Sequence, residues 1–299
     1  MTEASEAREG TEASEARKGT EASAQAEGRA QASSAPTEVA AQSIPTSQGP
    51  AAVRVFPALA GPARGTVLVG HGAGGQRDAA DVLALLELTV AGWTVVLVDQ
   101  PWRVAGRKVA TAPPTLDRAW SEVVAVLAEG GQAPDGTPLP RPWVYAGRSA
   151  GARVACRTSV DGPAQPPRAV VTLAFPLHPP GKPERSRVEE LATPLRAGIP
   201  TLIVQGRADP MGTPSQIRQA VGDPLPEALT LHEVPGNHSP TRHLTALREH
   251  VCTFLDANVP PSESPQGGPK EDNPGEHLAP QAPVVSVGGT PHRTGAPTS

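Results

Sequence analysis

The chain has 299 residues, 38% of them hydrophobic and 19% charged, with a formal net charge of −4 at pH 7. A mildly acidic chain without a basic run lacks the electrostatic footprint of a nucleic-acid binder, and no stretch approaches the roughly 18 apolar residues of a membrane helix. Cys156 and Cys252 are the only cysteines. Each falls in a helix-prone stretch with no second ligand at zinc spacing, so free thiols in a reducing compartment are expected, with no metal and no cofactor.

Met1 is followed by acidic and small polar residues rather than an apolar leader, which implies a cytoplasmic location. Residues 2–28 are three near-copies of a nine-residue unit that begins Thr-Glu-Ala-Ser and closes on Gly, with no apolar residue larger than Ala. Such a segment cannot bury enough surface to offset its ordering entropy. Residues 1–50 are expected to be a disordered tail, and residues 259–299, rich in Pro, Gly, Ser and Glu, a second one. Residues 51–258 suit one α/β domain.

Within that domain Val53 to Ala58 alternates in polarity and predicts an edge strand. Gly65 to Gly70 is a short apolar run bounded by glycines, the form of a strand buried on both faces. It delivers His71-Gly72-Ala73-Gly74-Gly75, whose small residues let backbone amides crowd around a ligand atom; the plainer reading is a glycine-rich connection. Val82, Leu85, Leu86 and Leu88 predict a helix over 78–91, with Asp78 or Asp81 at its N-terminus and Gly92 as its stop.

Trp93 to Val98 is a second apolar strand. It is followed by a loop predicted over Arg103 to Pro114, whose cations Arg103, Arg107 and Lys108 suit either solvent or an anionic substrate group. Leu116, Trp120, Val123, Val124 and Leu127 form a helix stripe. Strands are predicted at Trp143 to Ala146, Ala169 to Phe175, Ile199 to Gly206 and Leu229 to Val234, and helices after Ser149, over 184–195, around Ile217 and from Leu244. Strands alternating with helices imply a mostly parallel sheet.

Val144-Tyr145-Ala146-Gly147-Arg148-Ser149-Ala150-Gly151 joins a β-prone run to a helix-prone run across Gly-x-Ser-x-Gly. That is the pattern of a nucleophile elbow, where a serine on a sharp strand-to-helix turn projects its Oγ above the sheet. Gly147 and Gly151 are expected because side chains there would collide with the neighbouring strand or helix. Acyl transfer also needs an imidazole and a carboxylate. Asp209 and His238 each follow a predicted strand, and the order Ser149, Asp209, His238 is the one this architecture uses.

Other candidates fit less well. Asp99 precedes the serine, His178 precedes the Asp209 strand, His232 lies within a strand, and His243 and His250 fall on the last helix. The N–H groups of Ala150 and Ala73 are expected to hold an oxyanion, with Gly72, Gly74 and Gly75 shaping that loop and His71 bracing it. Arg148, at the variable elbow position, suits either substrate contact or the surface.

On these residues the chain resembles the α/β-hydrolase superfamily in its dienelactone-hydrolase-like branch. Within it the chain is most similar to the small hydrolase-like proteins grouped with testis-expressed protein thirty. The resemblance spans about residues 51–257. It rests on His71 to Gly75, Pro101-Trp102 with Gly106-Arg107-Lys108, Gly147 to Ala155, Phe175-Pro176-Leu177-His178-Pro179-Pro180-Gly181-Lys182-Pro183, and Gln205-Gly206 with Asp209-Pro210. It implies an α/β-hydrolase fold without a large cap domain, and Ser149, Asp209 and His238 as nucleophile, acid and base. Dienelactone hydrolases carry cysteine at the elbow, so Ser149 points away from dienelactone as substrate. The expected activity is hydrolysis of a small carboxylic ester. Thioester or peptide cleavage on the same triad, and a non-catalytic interaction protein whose tails recruit partners, are the alternatives.

Overall fold

The computed structural model describes residues 38–74, 78–130, 138–162, 164–239 and 243–260. They form an eight-stranded sheet in the order β1-β2-β4-β3-β5-β6-β7-β8, flanked by helices. The strands are β1 Val39–Ile44, β2 Ala51–Phe56, β3 Gly65–Gly70, β4 Trp93–Asp99, β5 Trp143–Arg148, β6 Ala169–Leu173, β7 Thr201–Gly206 and β8 Leu229–Val234. Only β2 runs against the others: it pairs antiparallel with both β1 and β4, and every remaining ladder is parallel.

Helices cover both faces because alternate residues of each strand point to opposite sides. Val53, Leu68, Val96, Tyr145, Val170 and Ile203 pack with residues of α3 (Pro113–Ala128), α4 (Ala150–Arg157), α5 (Val188–Arg196) and α6 (Pro214–Val221). Val67, Val95, Val144, Val171 and Val204 pack on the other face with Leu85, Leu88 and the α7 (Leu244–Asn258) residues Leu247, Val251 and Leu255. Since β3 lies between β4 and β5, the connections run opposite ways from it, and a crevice opens at the carboxyl ends of these strands.

The structure corrects four sequence expectations. Strand β1 lies inside the stretch expected as tail, so the folded part reaches back to Val39 and β2 is not at the edge. β1 escaped notice because Val-Ala-Ala-Gln-Ser-Ile has few large side chains. Residues 1–37 and 261–299, with the rest of both expected tails, lie outside the described residues. The helix expected over 78–91 is a single α turn, α1 (Ala80–Leu83), continued by a 3₁₀ helix over Ala84–Thr89. Its buried Val82, Leu85 and Leu88 recur every three residues, the 3₁₀ period. In the expected loop over 103–114, Pro101–Val104 forms a short helix, α2, and Pro113 and Pro114 open α3. Proline fits there, since the first turn has no partner for its missing N–H.

Strand β8 and helix α7 meet at two histidines. His232 and His250 stack with ring centroids 4.0 Å apart and planes 9° apart. Burial first, and then the charge of His250, hold the His232 pKa below its ordinary value of 6.5. A base with a depressed folded pKa contributes stability that is present above its unfolded pKa and is lost as pH falls below it. The melting temperature should therefore decline as pH is lowered from neutral past that value, and His232→Gln should flatten the decline. Identical slopes for parent and variant would assign the effect to other groups.

Candidate active site

Ser149 stands between β5 and α4 with φ 53° and ψ −107°. Positive φ costs a residue with a Cβ of order 1–3 kcal/mol, so it persists only where the surroundings dictate it. Here the close packing of backbone dictates it. A Cβ on Gly147 would lie 2.3 Å from the Gly151 carbonyl carbon, and one on Gly151 would lie 2.2 Å from the Gly70 oxygen. Both glycines are therefore needed for the reason expected from sequence: α4 rests directly on the ends of β3 and β5.

His238 follows β8 and Asp209 follows β7, and the structure brings both to Ser149. The Ser149 hydroxyl lies 2.9 Å from His238 Nε2, and His238 Nδ1 lies 2.8 Å from Asp209 Oδ2. The carboxylate fixes the tautomer: Nδ1–H donates to it, which leaves Nε2 to accept from the hydroxyl. Asp209 is only 1% exposed. Its Oδ1 accepts the Met211 N–H at 2.8 Å, and its Oδ2 also accepts from Gln205 Nε2 at 2.8 Å.

The loops that carry Asp209 and His238, called the acid and base loops after the roles expected from sequence, are joined by backbone hydrogen bonds from Arg207 N–H to the Val234 oxygen and from Ala208 N–H to the Gly236 oxygen. The loops close tightly over Gly206, where a Cβ would sit 2.2 Å from the Asn237 oxygen. Gln205 was absent from the expected site. It is fully buried, and its amide nitrogen reaches the Gly212 oxygen (2.7 Å) and the Phe175 oxygen (3.2 Å) as well as Asp209. The sequence signal was an amide side chain inside an otherwise apolar strand, one turn ahead of the aspartate.

The expected oxyanion loop leaves the sheet beside the elbow, because Gly70 pairs with Gly147. Ala73 and Ala150 are both part-exposed there. The Ser149 N–H is occupied, donating to the Leu173 oxygen at 2.9 Å. His71 is buried: Nδ1 contacts the Gly72 oxygen at 2.8 Å, Nε2 accepts the Gln100 N–H at 3.1 Å, and its ring meets Trp102 edge-on. Gly74 has open space around it, and Gly75 lies outside the described residues.

Arg148 matches neither sequence reading. It is 8% exposed, and its Nε donates at 2.9 Å to Asp81, which is 2% exposed. A terminal nitrogen donates to the His238 carbonyl (3.3 Å) and to the Ser239 hydroxyl. A Cβ on Gly72 would lie 2.6 Å from the other terminal nitrogen. One guanidinium thus ties α1 and the base loop together beneath the expected oxyanion loop. Asp81 serves as its counter-ion more than as a helix-end charge, and Asp78 pairs with Arg54.

The remaining candidates stay apart from Ser149. Asp99 lies 3.7 Å from Arg54. His178 is buried against the acid loop, with its N–H donating to the Met211 oxygen and Nδ1 at 2.9 Å from the Pro179 oxygen. His243 is exposed at the start of α7. Among the described residues there is no cluster of metal-ligating side chains and no helix long and apolar enough to cross a membrane.

A family profile described as an alpha/beta hydrolase domain matches residues 63–250. Among solved structures the chain is similar to an alpha-beta serine hydrolase homologue from Coxiella burnetii, at 18% identity and TM-score 0.60, covering 73% of this chain and 98% of that one. It is also similar to an α/β serine hydrolase without a lid from Xanthomonas campestris (22% identity, TM-score 0.54, 76% and 98% covered). A dienelactone hydrolase from Anabaena variabilis matches at 20% identity and TM-score 0.55, with 76% and 100% covered. A search of curated proteins finds no match.

The buried Arg148–Asp81 pair gives a direct test of this architecture. Removing one partner strands the other charge, so Arg148→Met should cost roughly 3–5 kcal/mol in urea unfolding. Adding Asp81→Leu to it should recover part of that loss. Strictly additive losses in the double variant would show that the two side chains do not act as a pair.

Proposed function

The chain belongs to the alpha/beta hydrolase domain family, and on that premise we propose that it is a serine hydrolase cleaving a small carboxylic ester or related acyl bond. The observation that carries this reading is the unbroken relay from Ser149 Oγ through His238 to Asp209, at 2.9 and 2.8 Å. In the proposed reaction His238 Nε2 takes the hydroxyl proton as Ser149 Oγ attacks the acyl carbon. Asp209 stabilises the imidazolium that results, and the backbone N–H groups of Ala150 and Ala73 receive the negative charge on the acyl oxygen. The imidazolium then protonates the leaving group as its bond to the acyl carbon breaks. Water, deprotonated by the same Nε2, releases the acid and returns Ser149 to its hydroxyl form.

Preorganisation supports the assignment. Asp209 is held by Met211 N–H and Gln205 before any substrate arrives, so little reorganisation is left for the moment of charge transfer. The open edge of the sheet suits small substrates, since no cap domain stands over it among the described residues. We place the chain in the dienelactone-hydrolase-like branch, near the testis-expressed-protein-thirty group, on its Phe175 to Pro183 run. Serine at the elbow argues for an ester other than dienelactone. The non-catalytic alternative is disfavoured because a scaffold without chemistry has no use for a buried, triply bonded carboxylate aimed at an imidazole.

Ser149→Ala should lower turnover of short aryl esters on the order of 10⁴-fold or more and abolish labelling by a fluorophosphonate. Equal turnover and labelling of variant and parent would refute the proposal. Removal of residues 1–37, which spares β1, should leave ester turnover intact.

A further inference from the structure

A cavity of about 210 Å³ opens beside the site, between the β1–β2 turn, α2 and the start of α3. Its walls include Gly49, Gln100, Trp102, Arg107, Thr111 and Thr115. Gln100 follows β4, which lies two strands from β5, so the cavity begins about 10 Å to the side of Ser149 at the usual strand spacing. Gln100 and Trp102 also line a narrow recess of about 10 Å³ that reaches His71 and Ala150. A shared wall therefore joins the cavity to the backbone proposed to hold the oxyanion.

The chemistry of the cavity is one-sided. Among the described residues Arg107 is the charged residue in its wall, and no carboxylate lines it. Arg103 lies 4.5 Å over the Trp102 ring, and its Nε and one terminal nitrogen are buried without an acceptor. Desolvated guanidinium N–H groups left unbonded are costly, so the surroundings of Trp102 favour an acceptor, although Arg103 itself is not part of the cavity wall. Helix α3 starts at this wall with no side-chain cap and no acidic residue in its first turn. Its carboxylates are committed elsewhere, Asp117 to Arg157 and Glu122 to the N–H and hydroxyl of Ser47.

A cavity whose described wall carries a guanidinium and no carboxylate is complementary to an anion. We propose that it receives a carboxylate carried by the substrate, so that the preferred esters bear a second, free carboxylate several bonds from the scissile carbonyl. A singly charged planar group matches the one guanidinium fork in the wall better than a phosphate dianion does. This inference rests on the serine-hydrolase reading given above and names its substrate class. Arg107 is exposed, so the preference should weaken with added salt.

Monomethyl adipate and methyl hexanoate have the same chain length and differ in the terminal carboxylate. Proton release by the full chain should give a kcat/KM about tenfold higher for the half-ester, and Arg107→Gln should remove most of that ratio through KM. Equal kcat/KM for the two esters in the parent, or an unchanged ratio in Arg107→Gln, would overturn the proposal. Absence of any ester turnover together with absence of fluorophosphonate labelling would instead overturn the hydrolase reading. In that case calorimetric titration with adipate decides the cavity alone. Binding that weakens in Arg107→Gln supports it, and no binding by the parent, or equal binding by parent and variant, refutes it.

Discussion

Everything at this site depends on how closely α4 lies against the ends of β3 and β5. Side-chain packing normally keeps a helix and a sheet about 10 Å apart. Here Gly70, Gly147 and Gly151 let backbone meet backbone, and the turn between β5 and α4 has room for one residue in a strained conformation. That residue is Ser149. Its strain is sustained by the surrounding ladder, including its own N–H bond to the Leu173 oxygen. The same contact brings the His71 to Gly74 loop alongside the serine, so the position of Ser149 and the shape of its surroundings follow from one constraint.

Around that fixed point the site is assembled from two ties that cross long sequence distances. Gly206 lets the base loop settle on the end of β7, and two backbone hydrogen bonds hold the acid and base loops to each other. Arg148 ties the other side, reaching Asp81 in one direction and the base loop in the other. A buried ion pair adds little net stability, because desolvation offsets most of its attraction. What it contributes is geometry, since a stranded charge would be expensive and the paired arrangement is strongly preferred.

Much of this was legible in the sequence because it is periodic or local. Fully buried parallel strands appear as short apolar runs, and Gly-x-Ser-x-Gly at a strand-to-helix junction leaves few alternatives. The order of Ser149, Asp209 and His238 could be read once the strands were placed. What escaped notice depends on tertiary contact. β1 has little apolar periodicity, and its place in the sheet is set by its pairing with β2. Arg148 looks like any elbow residue until Asp81 arrives from a different segment. Gln205 carries no local pattern beyond being an amide in an apolar strand, and the helical meaning of Pro113 and Pro114 depends on where α3 begins. The 3₁₀ segment shows the limit of periodicity itself, because three-residue and 3.6-residue spacings are hard to tell apart over two turns.

The clamp on Asp209 bears on what a substitution at the elbow would disturb. Its partners Gln205, Met211 and Gly206 all belong to β7 and the loop that follows, and the base loop is joined to that same segment. None of these contacts involves the residue at position 149. Asp209 and His238 are therefore held mainly by β7, β8 and the loops that follow them, with Arg148 as the tie from the elbow side. On the proposed reading, an exchange of Ser149 for cysteine would leave the contact between His238 and Asp209 in place.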